Sequence, residues 1–459
     1  MLKARLYYDN GSIIIRDIAH TPFSTFDPRI KTLRAQALHY KDILEYLKGS
    51  DIEHEDNVLD LLPSPHIRAE KIALRDYQKK ALNAWIRAGM RGCIVLPTGA
   101  GKTIVGIKAI EKVNSSSLIV VPTLDLMDQW VSVLSKHLNI PIGRLGGGED
   151  QFEAVTVSTY DSAYIHASSL GNKFSLVIFD EVHHLASLGY RSIAEQLACT
   201  FRLGLTATIE REDGLHKDLP RLVGGVVYQA APSDLAEEKH LANYTIERRN
   251  IEMLPEEILE YKKNYSMFLF SIRKLGFRMN YPNAFQKLIM MSSRSKLARD
   301  AILARNKAMN IALNSKAKFD ELREILAENK GVKTLIFTQH NSLVYDISKH
   351  FLVPFITHKS KKEERHDILK GFKEGRYSAI VTSKVLDEGV DVPDAELGVI
   401  VSGTGSSREF IQRLGRLLRP KADERTARLI EIVSMETREM GTSRKRKKAL
   451  ERMDKQTGR

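Results

Sequence analysis

The hydrophobic residues of this chain form short uninterrupted runs, and stretches with helical spacing of apolar residues separate them. The runs are residues 92–96, 118–121, 155–157 and 176–179 in the first half and residues 334–338, 378–382, 397–401 and 428–433 further on. Because polar residues do not alternate within these runs, both faces of each predicted strand should be buried. Such strands, alternating with helices, are typical of parallel sheets covered by helices on both sides. The pattern predicts an α/β fold with two parallel sheets.

Two other parts of the chain depart from this alternation. Near the N-terminus, residues 13–15 predict a strand and residues 30–47 have the apolar spacing of a helix. Between the sheet regions, residues 265–270 and 285–313 look helical, and strand signals are few. We therefore predict four parts: a small N-terminal domain at 1–65, a first sheet domain at 66–232, a helical region at 233–312 and a second sheet domain at 313–459.

The positive charge of the chain is concentrated in one segment. The 459 residues carry a formal net charge of +13, and residues 261–318 hold thirteen lysines and arginines but a single acid, Asp300. A solvated helical face normally carries both signs, so the near absence of acids favours a polyanionic partner for this segment. A second basic run, residues 444–448, is predicted either as a disordered electrostatic arm or as a solvated helix end.

The cysteine and hydropathy patterns exclude several classes of protein. Cys93 and Cys199 stand in apolar stretches without a CxxC pair or a histidine cluster, which excludes a disulfide framework and argues against a zinc site. No apolar run approaches the roughly 20 residues of a membrane span, and the N-terminus lacks the apolar run of a signal peptide. These features predict a protein of a reducing, cytoplasmic compartment that does not cross a membrane.

A glycine-rich loop follows the predicted strand at 92–96 and precedes a helical pattern. It comprises Pro97, Thr98, Gly99, Ala100, Gly101, Lys102 and Thr103. The glycines let backbone N–H groups curl towards phosphates, and the helix N-terminus adds a favourable dipole. Lys102 is expected to reach the β- and γ-phosphates of ATP, and the Thr103 hydroxyl to bind Mg²⁺. The first glycine of the usual phosphate-loop motif is replaced by Leu96.

Two adjacent acids end the predicted strand at 176–179. The carboxyl ends of parallel strands share one edge of a sheet, so Asp180 and Glu181 should lie beside the phosphate loop. We predict that Asp180 holds Mg²⁺ and that Glu181 polarises the water that attacks ATP. Together with Lys102, this pair supplies most of the positioning and charge neutralisation that hydrolysis needs.

An arginine-rich segment in the second sheet domain contributes further candidates. Within residues 412–419, Arg416 and Arg419 are three positions apart and share a helix face. If the two sheets face each other across ATP, these arginines can reach the γ-phosphate as arginine fingers. An arginine-rich helix taken alone is equally often a solvated surface.

Taken in order, six segments resemble the helicase motifs of superfamily 2. They are residues 74–78, the phosphate loop, and residues 180–183, 205–208, 386–393 and 412–419. The chain is similar to the archaeal xeroderma pigmentosum type B helicases in the Asp-Glu-Val-His-His sequence at 180–184, the Arg-Glu-Asp triplet at 211–213 and the Arg-Leu-Leu-Arg-Pro sequence at 416–420. The resemblance covers both predicted sheet regions. It implies two RecA-like domains, a thumb-like helical insertion that grips DNA and an N-terminal damage-recognition domain.

The resemblance also implies roles for single residues. Arg75 and Gln78 would recognise adenine, and Gly389 and Asp391 would complete the nucleotide cleft. His183, Thr206 and Thr208 would couple the nucleotide state to domain motion, with Gln412 as the partner of His183. Arg211, Glu212 and Asp213 would act in strand separation. For the triplet, a surface salt-bridge cluster is an equally good interpretation. Four aromatic residues in the basic segment either stack on bases or, as their spacing favours for most of them, pack in a core. They are Tyr265, Phe268, Phe270 and Phe277.

These features predict an ATP-dependent DNA helicase or translocase that acts in DNA repair and transcription, with a 3′ to 5′ polarity that the resemblance implies. ATP and Mg²⁺ are the expected ligands. DNA is the expected polymer, and a nuclease or a repair or transcription protein is an expected partner. Two other classes stay open, namely an RNA helicase or restriction-system motor, and an ATP-gated clamp that opens DNA with little unwinding.

Overall fold

The computed structural model describes residues 3–211, 213–231, 234–235, 244–279, 284–383, 395–403 and 427–444, together with 446 and 448. The chain divides into two units, residues 1–230 and residues 231–459. Each unit contains a parallel sheet with helices on its faces, so the predicted α/β class with two parallel sheets is confirmed.

The first unit begins with a small domain of five strands and one α-helix. Its elements are β1 (Ala4–Asp9), β2 (Ser12–Arg16), β3 (Ser24–Asp27), β4 (Thr32–Gln36), α1 (Tyr40–Gly49) and β5 (His54–Asn57). The strand order is β3-β4-β2-β1-β5, and β5 alone runs parallel to its neighbour in this sheet. Ile13 and Ile15 of β2 lie in the core of this domain, which confirms the strand predicted at 13–15.

The helix predicted at 30–47 is wrong in its first part. Residues 32–36 form strand β4, and α1 begins only at Tyr40. Leu33 and Ala35 are buried on one face of β4, which is the two-residue period of a strand. Short apolar runs fit either period, and here the pairing of β4 with β2 and β3 decided the outcome.

The rest of the first unit is an eight-stranded sheet flanked by helices. Its elements are α2 (Asp76–Arg87), β6 (Arg91–Val95), α3 (Lys102–Val113), β7 (Ser117–Val121), α4 (Leu124–His137), β8 (Ile142–Gly146), β9 (Glu149–Gln151), β10 (Val155–Thr159), α5 (Tyr160–Leu170), β11 (Leu176–Asp180), α6 (Arg191–Gln196), β12 (Phe201–Thr206), α7 (Leu219–Leu222) and β13 (Val226–Gln229). The strand order is β13-β6-β12-β11-β7-β10-β8-β9, and only the pairing of β8 with β9 is antiparallel. All four strands predicted here are confirmed within two residues of their bounds.

Strand β12, in the middle of this sheet, was missed by the sequence pattern because Arg202 interrupts its apolar run. The structure buries Arg202 completely, and its guanidinium donates to the carbonyl oxygens of Leu197 (2.6 Å), Leu222 (2.9 Å) and Ala194 (3.0 Å). These carbonyls lie in or just after helices α6 and α7, where a cation is favourable. Burial lowers the pKa of Arg202 to about 9.

The second unit is built on a six-stranded sheet. Its elements are β14 (Tyr244–Ile251), α8 (Pro255–Lys274), α9 (Ala284–Ser292), α10 (Lys296–Leu313), α11 (Lys316–Glu328), β15 (Thr334–Phe337), α12 (Asn341–Phe351), β16 (Phe355–Ile356), α13 (Lys362–Lys373), β17 (Ala379–Thr382), β18 (Leu397–Ile400) and β19 (Ala427–Ser434). The order is β14-β19-β18-β15-β17-β16, and every pairing between these described strands is parallel. The four strands predicted in this part are confirmed within two residues.

Where it is described from residue 244 on, the segment predicted as helical contains one strand and three helices. Strand β14 pairs with β19 along its whole length, from Tyr244 opposite Ala427 to Ile251 opposite Ser434. The apolar pattern does not predict β14, because this edge strand carries four consecutive polar residues, 247–250. The long helical stretch predicted at 285–313 is broken at 293–295, between α9 and α10.

The basic run at 444–448 is not a free arm where it is described. Residues 438–444 are helical, and so is Arg446. The Arg446 side chain is 2% exposed and forms an ion pair with the buried carboxylate of Glu431 on β19. Both predicted readings, the disordered arm and the solvated helix end, are therefore wrong for this residue. Among the described residues, no helix is long and apolar enough to cross a membrane.

Candidate nucleotide site

The phosphate loop connects β6 to α3 at the carboxyl edge of the first sheet. Leu96 is fully buried, and its N–H donates to the carbonyl of Thr206 at 3.0 Å, so the loop starts beside the end of β12. Gly99 and Gly101 have φ values of 85° and 75°, in the left-handed region that favours glycine. A Cβ added at Gly101 would lie 2.6 Å from Nε2 of Gln78, so a larger residue here would displace that amide.

Helix α3 begins at Lys102 with no side chain capping its N-terminus. Its first N–H groups therefore keep the arrangement that binds phosphate. Lys102 folds back over the loop, and its Nζ donates to the Leu96 carbonyl at 3.2 Å. Thr103 follows in the first turn and is half-buried. The predicted loop-to-helix context is thus present, and the structure places Lys102 and Thr103 at the start of the helix.

Asp180 ends strand β11 and is 5% exposed. One oxygen of its carboxylate accepts from Nε1 of Trp130 at 2.8 Å, and the other accepts from the backbone N–H of Glu181 at 3.0 Å. Trp130 lies on α4 and was not predicted as a functional residue, since a tryptophan at helical spacing indicates only a core position. Its indole N–H fixes the orientation of the carboxylate that was predicted to hold Mg²⁺.

The charge of Asp180 is costly in this position. Burial raises the pKa of the Asp180 carboxyl to about 6, and the neighbouring Glu181 adds to this rise, while Lys102 opposes it. A carboxylate in such surroundings is stabilised by an added cation. Its oxygens, like the hydroxyl of Thr103, are of the kind that Mg²⁺ prefers. The residues present therefore fit a magnesium ion, and the uncapped loop and Lys102 fit a phosphate group.

We expect Asp180→Asn to stabilise the nucleotide-free protein at pH 8. Because the folded state raises the pKa above the unfolded value of about 3.9, it binds the proton more tightly. Wild-type stability should then fall as the pH rises from about 4 to about 6, by at most about 3 kcal/mol. The asparagine variant has no such proton to lose.

Urea unfolding in EDTA, followed by tryptophan fluorescence, measures this effect, because both tryptophans, Trp85 and Trp130, lie in the first unit. The variant should exceed the wild type at pH 8, and the difference should be much smaller near pH 4. An equal difference between the two proteins at both pH values would contradict the assigned pKa shift.

Glu181 adopts an unusual backbone conformation that directs it towards β12. Its φ of 48° and ψ of 54° place a non-glycine residue in the left-handed region, which is typical of functional sites. The Thr206 hydroxyl lies 3.1 Å from Oε2 of Glu181 and 2.8 Å from the carbonyl oxygen of Thr208. Nδ1 of the buried His183 lies 3.1 Å from the same hydroxyl. The structure thus joins the predicted catalytic base to three residues that were predicted for coupling.

The Arg211 side chain is hydrogen-bonded to this network through the backbone of His183. Its guanidinium makes two hydrogen bonds to the Asp213 carboxylate, at 2.6 and 3.0 Å, and donates to the carbonyl oxygen of His183 at 2.8 Å. The hydrogen-bonded ion pair with Arg211 lowers the pKa of the Asp213 carboxyl to about 2. The structure therefore contains a salt bridge within this triplet, between Arg211 and Asp213, and Arg211 also bonds directly to His183. The predicted role in strand separation stays a prediction, and Glu212 lies outside the described residues.

Gln78 connects the predicted adenine-recognition segment to the phosphate loop. It is 4% exposed, its Oε1 accepts from the backbone N–H of Arg75 at 3.0 Å, and its Nε2 donates to the Ala100 carbonyl at 3.0 Å. The Tyr77 hydroxyl donates to the same carbonyl at 2.8 Å. Arg75 and Gln78 line a cavity of about 240 Å³ together with the backbone of residues 99–101. This volume is below the roughly 300–1,000 Å³ that encloses a whole ligand, so it suits part of a nucleotide, such as the base.

Besides Glu212, five predicted site residues fall on parts of the chain that the structure does not describe. They are Gly389, Asp391, Gln412, Arg416 and Arg419. Their roles stay predictions from the motifs. In the basic segment the aromatic residues differ from one another, since Phe268 is buried, Phe270 is 64% exposed, and Tyr265 and Phe277 are half-buried against the same core. Core packing is thus found for most of them.

The cysteines take no part in this site. Cys93 and Cys199 are both buried as free thiols, and burial raises the pKa of each to about 12. A thiol with so high a pKa is a poor nucleophile and a poor metal ligand.

Three family models match parts of the chain. The model of the type III restriction enzyme res subunit matches residues 71–211. The ERCC3/RAD25/XPB C-terminal helicase model matches residues 298–453, and the xeroderma pigmentosum group B helicase damage recognition domain model matches residues 6–58.

Full-length comparison finds relatives in archaea, bacteria and eukaryotes. The chain is 46% identical to the DNA 3′-5′ translocase XPB2 of Sulfurisphaera tokodaii, over 96% of this chain and 99% of the relative. It is 30% identical to the DNA 3′-5′ helicase XPB of Mycobacterium tuberculosis, over 79% of this chain and 61% of the relative. It is 27% identical to the general transcription and DNA repair factor IIH helicase/translocase subunit XPB/SSL2 of Saccharomyces cerevisiae, over 90% of this chain and 47% of the relative. The chain therefore spans the archaeal relative almost completely, but only about half to two thirds of the other two.

The solved structure of the Hef helicase domain of Pyrococcus furiosus supports the fold. It aligns with a TM-score of 0.55 at 19% identity, over 83% of this chain and 99% of that chain. Parallel sheets with a phosphate loop and paired acids at one sheet edge are typical of nucleotide hydrolases, and the matching family models and relatives narrow the class to helicases. The chain belongs to the XPB family of helicases. Membership of this family implies the use of ATP.

Proposed function

We propose that this chain is an ATP-driven DNA translocase and helicase that moves 3′ to 5′ and opens duplex DNA in repair and transcription. The observation that carries the proposal is the placement of Lys102, Asp180 and Glu181 at one edge of the first sheet, with Glu181 joined to Thr206 on the neighbouring strand. The printed names of the relatives, which are DNA 3′-5′ translocases and helicases, support the polymer and the polarity.

In the proposed reaction, ATP is the substrate and water the nucleophile. The N–H groups of residues 99–103 and the Lys102 ammonium bind the phosphates, and Glu181 orients the water and accepts its proton as the γ-phosphoryl group leaves ADP. Mg²⁺, held by Asp180 and Thr103 when bound, supplies charge neutralisation at the phosphates. Arg416 and Arg419 stay in the proposal as arginine fingers, and Gly389 and Asp391 as further residues of the nucleotide site, on the strength of the motifs alone.

We propose that Thr206 reports the state of Glu181 to the rest of the protein. Its hydroxyl has one proton, and the acceptors within reach include the Glu181 carboxylate and the Thr208 carbonyl. When Glu181 engages water, the Thr206 hydroxyl can turn and donate its hydrogen bond to the Thr208 carbonyl alone, and the segment after β12 shifts its hydrogen bonding. That segment leads to Arg211, which holds the carbonyl of His183.

The basic helices α8 to α10 are the proposed grip on DNA. Of the thirteen cations at 261–318, three have carboxylate partners among the described residues: Lys262 with Glu436, Lys307 with Glu260 and Lys318 with Glu439. The others can contact phosphates, which gives affinity that is independent of sequence and falls with salt. We further propose a nuclease, repair or transcription protein as partner, because the yeast relative is named as a subunit of a transcription and repair factor.

The test is ATP hydrolysis without nucleic acid and with single-stranded DNA, duplex DNA or RNA, with Glu181→Gln as the control. We expect stimulation by DNA over RNA that disappears in the control, because glutamine cannot take the proton from water. Stimulation by RNA over DNA would replace the proposal with an RNA helicase. Absence of stimulation by either polymer would overturn the DNA motor.

A second candidate function is an ATP-gated clamp that opens DNA with little unwinding. It is favoured by the name of the 46% identical relative, which is called a translocase rather than a helicase. Slow hydrolysis that depends on DNA, with short unwound tracts in a strand-displacement assay, would support the clamp. Unwinding over long duplexes would exclude it.

A further inference from the structure

The segment between the N-terminal domain and α2 forms one wall of the cavity lined by Arg75 and Gln78, which we call the base cavity. We call residues 66–73 the strap. Two of its backbone N–H groups donate to side chains at the end of α3, from Ile67 to Asn114, the residue just after the helix, at 2.7 Å and from Ala69 to Glu111 at 2.8 Å. Residues 71–73, at the end of the strap, line the cavity together with Gln78.

His137, at the end of α4, belongs to the same cavity and is bonded to the strap. The backbone N–H of Glu70 donates to the His137 carbonyl at 3.0 Å, and Nδ1 of the His137 ring lies 3.1 Å from the Glu70 carbonyl oxygen. A carbonyl oxygen only accepts hydrogen bonds, so Nδ1 of His137 must carry the proton. In the neutral ring, Nε2 is then an acceptor.

We propose that His137 selects adenine over guanine in this cavity, with Nε2 accepting a hydrogen bond from the 6-amino group of the base. The inference rests on the proposed ATPase function. Adenine presents an amino donor at this position, whereas guanine presents the O6 acceptor, which would face the Nε2 acceptor without a proton between them. His137 is thus a specificity residue beside Gln78, and its tautomer is set by the strap.

Two substitutions separate this role from a purely structural one. In His137→Asn, the side-chain amide can still donate to the Glu70 carbonyl as Nδ1 does, but the acceptor at the position of Nε2 is lost. In His137→Gln, the longer amide places an oxygen near the position of Nε2 and can restore the acceptor. If His137 only anchors the strap, asparagine should preserve function better than glutamine.

The measurement is steady-state hydrolysis by the full chain with DNA present, using ATP and purine riboside triphosphate, which lacks the 6-amino group. We expect His137→Asn to raise the KM for ATP about tenfold, with kcat and the KM for the analogue unchanged. His137→Gln should recover most of the loss. The contribution of Gln78 cancels, because it is present in every protein compared.

The outcomes distinguish this inference from the proposed function. Equal changes in KM for ATP and for the analogue would overturn base selection by His137 while leaving ATP hydrolysis established. An unchanged KM for ATP in His137→Asn would do the same. Failure of the wild type to hydrolyse ATP at all would instead overturn the proposed function, together with the inference that rests on it.

Discussion

Lys102→Ala is expected to lower ATP turnover about 1,000-fold, with the fold intact. Lys102 is the basic side chain of the phosphate loop, and in the structure its Nζ bonds to a carbonyl of that loop rather than to a carboxylate. Its charge is therefore available to a phosphate group that replaces the carbonyl. Removing a group that stabilises developing charge mainly lowers kcat, because the charge on the leaving phosphates increases in the transition state.

The matched control is Lys112→Ala. Lys112 lies on the same helix, near its end, and is exposed. Turnover by this control should equal that of the wild type, and thermal unfolding of both variants should match it too. Normal ATP turnover in Lys102→Ala would contradict the assignment of the nucleotide site.

Lys318→Met is expected to destabilise the second unit by about 3–5 kcal/mol. Lys318 is fully buried, and its Nζ donates to the Glu439 carboxylate at 2.7 Å and to the Val401 carbonyl at 2.7 Å. Burial lowers the pKa of Lys318 below its usual range although Glu439 opposes the shift. Loss of the lysine leaves the carboxylate of Glu439, which is 1% exposed, without its cation.

The double variant Lys318→Met with Glu439→Leu tests the reason for this loss. With both charges gone, no uncompensated charge is buried, so most of the lost stability should return. Lys316→Met is the control, because Lys316 is an exposed residue on the same helix. If the single and the double variants lose stability equally, packing rather than the buried charge is responsible.

The second unit needs a probe of its own, because both tryptophans lie in the first unit. Far-ultraviolet circular dichroism should show an unfolding transition at a lower denaturant concentration in Lys318→Met than in the wild type. The tryptophan transition should stay where it is in the wild type. A shift of the tryptophan transition alone would contradict the assignment of this pair to the core of the second unit.

Much of the fold follows from local patterns. Uninterrupted apolar runs mark strands buried on both faces, and all eight that were predicted are strands of the two parallel sheets. The positions of Lys102, Asp180 and Glu181 follow from the same reasoning, because residues that follow parallel strands meet at one edge. What the pattern missed were strands with polar residues, such as β12 with its Arg202 and the edge strand β14.

The fate of charged residues depended on the tertiary structure. Lys318 and Arg446 belong to basic stretches that suggest solvated surfaces, yet each lies in the interior against a glutamate that is distant in sequence. Arg202 is buried, and the described hydrogen bonds of its guanidinium all go to backbone carbonyl oxygens. No spacing of residues predicts such partners, because the free energy of a buried charge depends on the groups that surround it in space.

By itself, the sequence determined the α/β class, most of the parallel strands and the loop and carboxylates that can hold a nucleotide. The tertiary structure alone decided that Trp130 orients Asp180, that Thr206 joins Glu181 to His183, and that His137 and the end of the strap line one cavity with Gln78. Periodicity reports which faces of an element are buried. Hydrogen bonds between side chains depend on distances of a few ångströms between elements far apart in the chain, and these are set only when the sheets and helices pack.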